Sequence, residues 1–200
     1  MTAHISISAG FSETEHAEIA QLYWAAFSGK LHYVLGPKSS ALGFISDQLD
    51  PEFSLVARDL TGAILGVAGF KTKDGSLVGG EFSDLVRVYG WWSALWRAAF
   101  LFLLEREPSA DTLLMDGIFV TEKARGRGVG TALLAAICDH AAQNGLSRVR
   151  LDVIDSNPRA RALYLRCGFE PVGTEHIGPL SWVFGFRSST KMLLTLPPSP

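Results

Sequence analysis

The chain has 200 residues, of which 48% are hydrophobic and 19% charged, and its formal net charge is −2. This balance is typical of a folded protein with a sizeable core; it excludes a disordered chain, and it excludes binding of nucleic acid through a strongly basic surface. The length predicts one domain over residues 1–200, with a disordered tail at 197–200.

The N-terminal half carries the patterns of strands and helices in alternation. Ser12 and Glu15 stand at capping-box spacing before an apolar helical periodicity, so a helix is expected to begin there. A turn ending at Gly62 separates two apolar runs, which predicts two paired strands. The predicted elements are strand 5–8, the helix after Ser12, helix 41–49, strands 53–58 and 64–71, loop 75–80, and one or two helices over 83–105 closed by Pro108.

The segment 91–104 is the most apolar of these predicted helices. A helix needs about twenty apolar residues to span a membrane, and this segment is shorter and carries Arg97. It therefore predicts a buried or interfacial helix, and no membrane span is expected.

The C-terminal half begins with a strand over 113–120 that has little polarity, as a central strand covered on both faces has. Gly145 and Gly168 each stand where a helical pattern stops. The other predicted elements are loop 121–127, helix 129–144, strand 148–153, helix 158–167, strand 169–174 and one or two strands within 181–196. This order predicts an α/β fold, a mixed sheet with helices on both faces.

The densest chemical signal is the loop between the central strand and the following helix. Gly126, Gly128 and Gly130 let the backbone turn tightly, the helix start adds free N–H groups, and Thr131 adds a hydroxyl donor. This arrangement predicts an anion site suited to a pyrophosphate. The P-loop pattern is absent, and the dinucleotide fingerprint would need a further glycine at residue 131 or 133.

The loop resembles motif A of the GCN5-related N-acetyltransferases, in which Arg125-x-x-Gly128-x-Gly130 follows a strand that ends in Ile118-Phe119-Val120. The resemblance implies acetyl-CoA as the acyl donor. It also implies that the strand backbone, at Ile118 and Val120, pairs with the pantetheine arm. The residues it brings to the pyrophosphate are Arg125, Gly126, Arg127, Gly128, Val129 and Gly130, with Thr131 beside them.

A second pattern follows one helix and one strand later. It is similar to motif B of the same family, N-x-x-A-x-x-x-Y-x-[KR]-x-G-F, at every defined position from Asn157 to Phe169. The resemblance is close over residues 113–172 and implies the family's fold, a twisted, mostly antiparallel sheet with a parallel pair at the cofactor cleft. It adds Asn157 and Arg166 to the residues expected at acetyl-CoA, and Asn157 is also expected to cap its helix.

Acetyl transfer needs a neutral amine as nucleophile and a proton for the leaving thiolate. The resemblance implies that Tyr164 is the general acid; the alternative is a tyrosine that packs the helix on the sheet. Asp116 is a lone acid in an apolar strand, and burial would raise its pKa towards the range of a base. Its alternatives are a structural carboxylate and an anchor for a cationic substrate. Glu81 and Asp84 are further candidates for the base.

The family's acceptor site is implied to form from the first helices and the loops beside the central strands. The residues expected there are Tyr23, Phe27, Glu81, Trp91 and Trp92. Trp91 and Trp92 are adjacent, so their side chains point in different directions and one core face cannot use both. The hypothesis is that their helix lines an apolar acceptor pocket or a dimer interface.

The sequence thus predicts an acetyl-CoA-dependent N-acetyltransferase that acts on a primary amine of a small molecule, without a nucleic-acid partner. Two alternatives stay open, an enzyme that acetylates the N-termini or lysines of proteins or peptides, and a non-catalytic acyl-CoA-binding domain. The two cysteines, Cys138 and Cys167, fit reduced thiols in the cytoplasm. The five histidines are scattered without metal-binding spacing, so no metal is expected.

Overall fold

The computed structural model describes residues 5–104, 106, 109–178 and 181–197, and within these ranges seven strands form one sheet in the order β1-β2-β3-β4-β5-β7-β6. The strands are β1 (Ser6–Ala9), β2 (Ser54–Arg58), β3 (Ile64–Lys71), β4 (Thr112–Val120), β5 (Arg148–Ile154), β6 (Glu170–His176) and β7 (Ser188–Thr195). The helices are α1 (His16–Leu35), α2 (Lys38–Gln48), α3 (Phe82–Tyr89), α4 (Trp91–Leu104), α5 (Val129–Gln143), α6 (Pro158–Arg166) and α7 (Ser181–Phe184).

The sheet is mixed, as the sequence predicts. Every pair of neighbouring strands is antiparallel except β4 and β5, which are parallel. The Phe70 ring of β3 packs on His140 of α5, with 4.7 Å between ring centroids, whereas the Phe119 ring of β4 packs on Tyr23 of α1 at 5.7 Å. Val67, the register partner of Phe119, lies three residues from Phe70 along β3, so α1 and α5 cover opposite faces. The predicted α/β class with helices on both faces is confirmed.

The C-terminal segment holds one unpredicted element. One or two strands were expected within residues 181–196, and the strand Ser188–Thr195 confirms this, but Ser181–Phe184 is a short helix that was not predicted. Gly185 ends the helix with a positive φ of 70°, and its N–H donates to the Ser181 carbonyl at 3.0 Å. Burial of the Phe184 side chain, 1% exposed, stabilises this turn.

The segment 83–105, predicted to form one or two helices, forms two. Gly90, with φ of 75°, divides it into α3 and α4, and its N–H donates to the Val86 carbonyl at 2.9 Å. Pro108, expected to close this segment, lies outside the described residues, as do residues 198–200 of the tail expected at 197–200.

A β-bulge interrupts the central strand at Asp116. Gly69 of β3 pairs with Gly117 of β4, whereas the next residue, Phe70, pairs with Met115. Asp116 is therefore the extra residue on β4, without a register partner on β3. A Cβ on Gly117 would lie 2.5 Å from Cζ of Phe27, so only glycine admits that ring of α1 against the bulge.

The parallel pair separates beyond the bulge. β5 pairs with β4 only between Thr112–Met115 and Arg148–Leu151. Further along, β4 stays on β3 and β5 stays on β7, so the two strands diverge and leave a cleft. Because N–H and C=O groups alternate between the two sides of a strand, about half of those at residues 116–120 face this cleft without a strand partner.

Candidate active site

The cleft edge of β4 exposes backbone and little side chain. Phe119 is 4% exposed, and its ring packs between Tyr23 and Phe27 of α1. A ligand in the cleft could therefore contact Phe119 only through its backbone. Ile118 and Val120 are half-buried and lie on the same diverging stretch of strand. The arrangement offers an extended ligand a row of hydrogen-bonding groups of the kind that a neighbouring strand would use.

The glycine loop leads from this edge into α5. Gly126 and Gly128 have φ of 76° and 84°, which disfavours any other residue, and a Cβ at either would meet nothing within 4 Å. Their requirement is therefore conformational. A Cβ on Gly130 would lie 3.2 Å from Cδ2 of Leu163, so this glycine lets α6 approach the start of α5.

The free amides of the loop lie at its C-terminal end. Arg125 N–H and Arg127 N–H donate to the carbonyls of Glu122 and Ala124, both at 3.3 Å. The first helical bond of α5 runs from Ala132 N–H to the Gly128 carbonyl at 3.0 Å, and no side chain caps the helix. The amides left for an anion are those of Gly126 and Gly128 and those of the first turn of α5, Val129, Gly130 and Thr131.

Side chains of the loop surround these amides with positive charge. Arg125 and Arg127 are exposed, and Arg125 Nη1 lies 3.7 Å from Glu122 Oε1, a solvated contact of small energetic weight. The Thr131 hydroxyl is exposed as well, whereas the Val129 side chain is 2% exposed and belongs to the core. The loop can therefore hold a pyrophosphate through backbone N–H groups, two mobile guanidinium groups and one hydroxyl.

Helix α6 carries the second predicted group of residues. The Asn157 side chain accepts a hydrogen bond from Ala160 N–H at 3.1 Å, so it caps the helix as expected. Tyr164 is 7% exposed and packs on Phe169 with 6.1 Å between ring centroids. Burial raises the pKa of the Tyr164 phenol to about 12, which keeps it protonated and able to donate at neutral pH. Arg166, at the helix end, is exposed.

A cavity of about 550 Å³ opens on the α1 face of the sheet, and we call it the α1–α4 cavity. Asp116 lies in its wall at the β4 bulge, with α1, the loop before α3, α4 and β5 around it. Its lining combines apolar side chains of α1 to α4 with polar and charged residues, which are Tyr23, Lys30, Lys71, Glu81, Arg106, Asp116 and Asp152.

Asp116 is an exposed residue and lines this cavity, while the protein atoms packed around its carboxyl keep part of the water away. The loss of water around it raises its pKa to about 6, although the charges of Lys71 and Lys30 and a hydrogen bond from Leu77 N–H act to lower it. Burial, and then the Asp116 charge, raise the pKa of the Tyr23 phenol. Asp116 is thus an acid that is largely ionised at neutral pH and still able to take up a proton.

Two of the residues expected to bind the acceptor line the cavity, Tyr23 and Glu81. Phe27 lies behind it, 4.7 Å from the Tyr23 ring, and holds the bulge. Trp91 and Trp92 are 58% and 84% exposed and are not lining residues; α4 contributes Ala98, Leu101 and Phe102 instead.

The other candidate for the base, Asp84, is engaged locally. Its carboxylate accepts from Glu81 N–H at 2.8 Å in the capping box of α3 and pairs with Arg87. Tyr164 is not a lining residue of the α1–α4 cavity and lies on α6 instead.

The cations of the cavity were not predicted from the sequence. Lys30 lies seven residues after Tyr23 and three after Phe27, so all three share one face of α1, a spacing visible in the sequence. Lys71 at the end of β3, Arg106 after α4 and Asp152 on β5 carry no local pattern that would group them. Only the fold brings these residues to one cavity.

The described residues contain no helix long and apolar enough to cross a membrane. Within the same ranges, no cluster of three or more His, Cys, Asp or Glu side chains is placed to hold a metal ion. Cys138 and Cys167 are half-buried free thiols.

Known proteins resemble the chain in sequence and in fold. Thialysine N-epsilon-acetyltransferase of Mus musculus is 36% identical over 70 residues, which cover 35% of this chain and 41% of that protein. Matches to the curated relatives span between 22% and 41% of the relatives' own lengths.

Two solved structures share the fold across nearly the whole chain. A GCN5-related N-acetyltransferase from Kribbella flavida superposes with a TM-score of 0.64 at 20% identity and covers 96% of this chain and 98% of its own. The acetyltransferase yncA from Salmonella typhimurium, solved with its cofactor acetyl-CoA, superposes with a TM-score of 0.54 at 16% identity and covers 96% and 94%. The family model described as the acetyltransferase (GNAT) family matches residues 16–169. The chain therefore belongs to the acetyltransferase (GNAT) family.

Proposed function

We propose that this protein is an acetyl-CoA-dependent N-acetyltransferase and that its acceptor is the primary amine of a small molecule bound in the α1–α4 cavity. The observation that carries the proposal is the position of Asp116, a carboxyl of pKa about 6 that faces a cavity of about 550 Å³ from the bulge where the parallel strands diverge. The proposal treats residues 1–200 as one acetyltransferase domain with a cofactor-binding core at about 113–172. The family match over 16–169 supports this extent.

The donor half fits acetyl-CoA because the cleft and the loop match its two polar portions. Unpartnered backbone groups of 116–120 suit the amides of a pantetheine arm, and the uncapped start of α5 with Arg125 and Arg127 suits a pyrophosphate. Acetyl-CoA, when bound, supplies a thioester carbonyl carbon that an amine can attack. A backbone N–H near Ile118 would stabilise negative charge on that carbonyl oxygen.

The acceptor half supplies a proton acceptor. The Asp116 carboxylate takes one proton from the substrate ammonium, which leaves a neutral amine as nucleophile. The nitrogen–carbon bond then forms and the carbon–sulfur bond breaks, with the electron pair going to sulfur. Tyr164, the proposed general acid, gives one proton to that sulfur. The nitrogen then loses its second proton, which restores the Tyr164 phenol, so the products are a neutral amide, a free thiol and a protonated Asp116.

The small-molecule assignment rests on the size of the cavity. A cavity of about 550 Å³ between α1 and α4 has the size of pockets that bury small ligands. Free thiols at Cys138 and Cys167 support a reducing compartment, and we place the activity in the cytoplasm.

The test is thiol release from acetyl-CoA with a panel of amino acids, polyamines, aminoglycosides and peptides with free N-termini. We expect release with at least one small amine and none above background with the peptides. Release with peptides alone would favour the protein-modifying alternative. Tight acetyl-CoA binding, measured by calorimetry, without release for any amine would favour the non-catalytic domain.

A further inference from the structure

The α1–α4 cavity carries equal numbers of positive and negative side chains. Among its described lining residues, the cations are Lys30, Lys71 and Arg106, and the anions are Glu81, Asp116 and Asp152. A ligand that keeps this balance has no net charge, yet it can carry one group of each sign. Simple amines and polyamines, which are purely cationic, would leave an excess of positive charge.

Two of these charged residues, Arg106 and Asp152, form ion pairs within the protein. Arg106 Nε lies 3.3 Å from Asp152 Oδ2, and Arg150 Nη2 lies 3.0 Å from the same oxygen. Arg106 also reaches Glu175 at 3.2 Å. These contacts place Arg106 and Asp152 in a network that crosses β5 and β6 and holds the cavity's outer wall.

Lys30 is different. No acid of the described residues lies within the 4.0 Å of an ion pair with its ammonium, whose contact is the face of the Phe27 ring at 4.8 Å from the centroid. Burial lowers the Lys30 pKa, and the charges of Asp116 and Asp152 act to raise it. Lys30 is half-buried, and an anionic group on a ligand would give its ammonium the charged partner that it lacks among the described residues.

The rest of the wall is apolar. Leu31 and Leu35 of α1, Phe44 of α2, Leu85 of α3, Leu101 of α4 and Phe186 before β7 all line the cavity. Such a wall binds a hydrocarbon or aromatic body by burying its surface. The polar groups then select what the ends of that body carry.

We propose that Lys30 binds the carboxylate of the acceptor, so that the substrate is an amino acid with an apolar or aromatic side chain whose amine is directed to Asp116. This inference rests on the proposed function, because it names the acceptor of the same site. Lys30 is the residue that determines specificity, and Asp116 is the residue that accepts the proton. The carboxylate is a spectator in the transfer and changes no bond.

The experiment compares two ligands that differ only in the carboxylate, phenylalanine and 2-phenylethylamine. Thiol release from acetyl-CoA gives kcat/KM, and calorimetry in the presence of coenzyme A gives the dissociation constant without turnover. We expect phenylalanine to have a kcat/KM about ten- to a hundredfold higher than 2-phenylethylamine and a dissociation constant lower by a similar factor, the effect of one charge-assisted hydrogen bond.

Variants locate the effect. In Lys30→Met the ratio between the two ligands falls to near one, in Lys30→Arg it is largely kept, and in Lys73→Met, a control at an exposed lysine, it equals that of the wild type. Circular dichroism shows whether each variant is folded, and the comparison of the two ligands on the wild type needs no variant.

The outcomes separate the inference from the proposed function. A carboxylate preference in binding that Lys30→Met removes, with no thiol release, supports the Lys30 site and overturns the transferase proposal. Turnover of 2-phenylethylamine as efficient as that of phenylalanine supports the transferase and overturns the role of Lys30. Failure of both ligands to bind overturns the amino-acid inference, and so does a preference that survives in Lys30→Met.

Discussion

The two halves of the proposed site, one for acetyl-CoA and one for the amine, are built from different parts of the chain. The donor half is a continuous run from the edge of β4 through the glycine loop into α5, and it offers mainly backbone groups. The acceptor half is the α1–α4 cavity, whose side chains come from α1, α2, β3, α3, α4, β4 and β5. One half is a local feature of the sequence, and the other exists only after folding.

This difference explains what each half can vary. The donor half uses backbone groups, which are the same in every residue, so it restricts the backbone conformation more than the side-chain type. Gly126 and Gly128, with their positive φ angles, are the positions where this restriction determines the residue. The cavity constrains size, charge and hydrophobicity at separate positions, each of which can change alone. We therefore expect substitutions in the loop to act on acetyl-CoA, and substitutions in the cavity to act on the choice and reactivity of the amine.

The largest effect is expected from Gly128→Val. Valine is strained at a φ of 84°, and the altered turn removes amides from the pyrophosphate, so acetyl-CoA affinity should fall by about a hundredfold or more. Calorimetry with coenzyme A measures it. The matched control is Gly145→Val, with φ of 72° at the opposite end of α5, which should keep the affinity. An equal loss of acetyl-CoA affinity in both variants would show that the loss comes from lower helix stability and not from damage to the anion site.

The next effect is expected from Asp116→Asn. An amide cannot accept the proton, so kcat/KM should fall by about a hundred- to ten-thousandfold while acetyl-CoA still binds. In the wild type kcat/KM should rise with pH through about 6 as the carboxylate forms, and this rise should be absent in the variant. Asp139→Asn, at an exposed acid of α5, serves as the control. An inflection near pH 6 that persists in Asp116→Asn would assign the base elsewhere.

The same substitution has an effect on stability with a defined sign. The folded pKa of about 6 lies above the ordinary value of 3.8, so ionisation between these values disfavours the folded state as pH rises. Asp116→Asn should therefore have a higher free energy of unfolding than the wild type at pH 7, and the difference should disappear below about pH 4. Urea unfolding at both pH values measures it.

A smaller loss is expected from Tyr164→Phe, about ten- to a hundredfold in kcat, because only the proton donor is removed. The ring keeps its packing on Phe169, so the melting temperature and the affinity for acetyl-CoA should be preserved. Tyr33→Phe, at an exposed tyrosine of α1, is the control. A lower melting temperature with unchanged kcat would assign Tyr164 to packing alone.

The smallest effect on catalysis is expected from the exposed α4 tryptophans. The dimer hypothesis predicts that Trp91→Ala with Trp92→Ala weakens self-association, seen by sedimentation, while kcat changes little because neither residue lines the cavity. Trp182→Ala, at an 89% exposed tryptophan of α7, is the control. A wild-type protein that is monomeric throughout the accessible concentration range contradicts the hypothesis.

Much of the fold could be predicted from apolar patterns and from the glycines at turns and helix ends. The strands Ser54–Arg58 and Ile64–Lys71 lie where the two apolar runs and the turn between them predict strands over 53–58 and 64–71, and Gly145 and Gly168 stand at helix ends. The short helix Ser181–Phe184 was missed because four residues are too few to show a helical period, and the burial that stabilises it comes from distant residues. The bulge was equally hidden, since register is a property of two strands.

The site divides in the same way. The loop could be found from its glycines, because a positive φ leaves a direct trace in the sequence. The raised pKa of Asp116 was expected from a lone acid in an apolar strand, and the structure agrees in direction. Lys30 was not predicted although it shares a helix face with Tyr23, because the sequence contains no pattern from which the packing of this face near the β4 bulge could be predicted.

The bulge also acts as a phase shift within a single strand. Met115 and Phe119 are four residues apart, a separation that puts two side chains of a regular strand on the same side, yet their register partners Phe70 and Val67 point to opposite sides. Deleting Asp116 would restore regular alternation and exchange the two sides for every residue of β4 before it. Asp116 is thus also the extra residue that lets the two ends of β4 bury side chains on opposite faces of the sheet. Deleting it should lower the stability of the fold and also remove the proposed base.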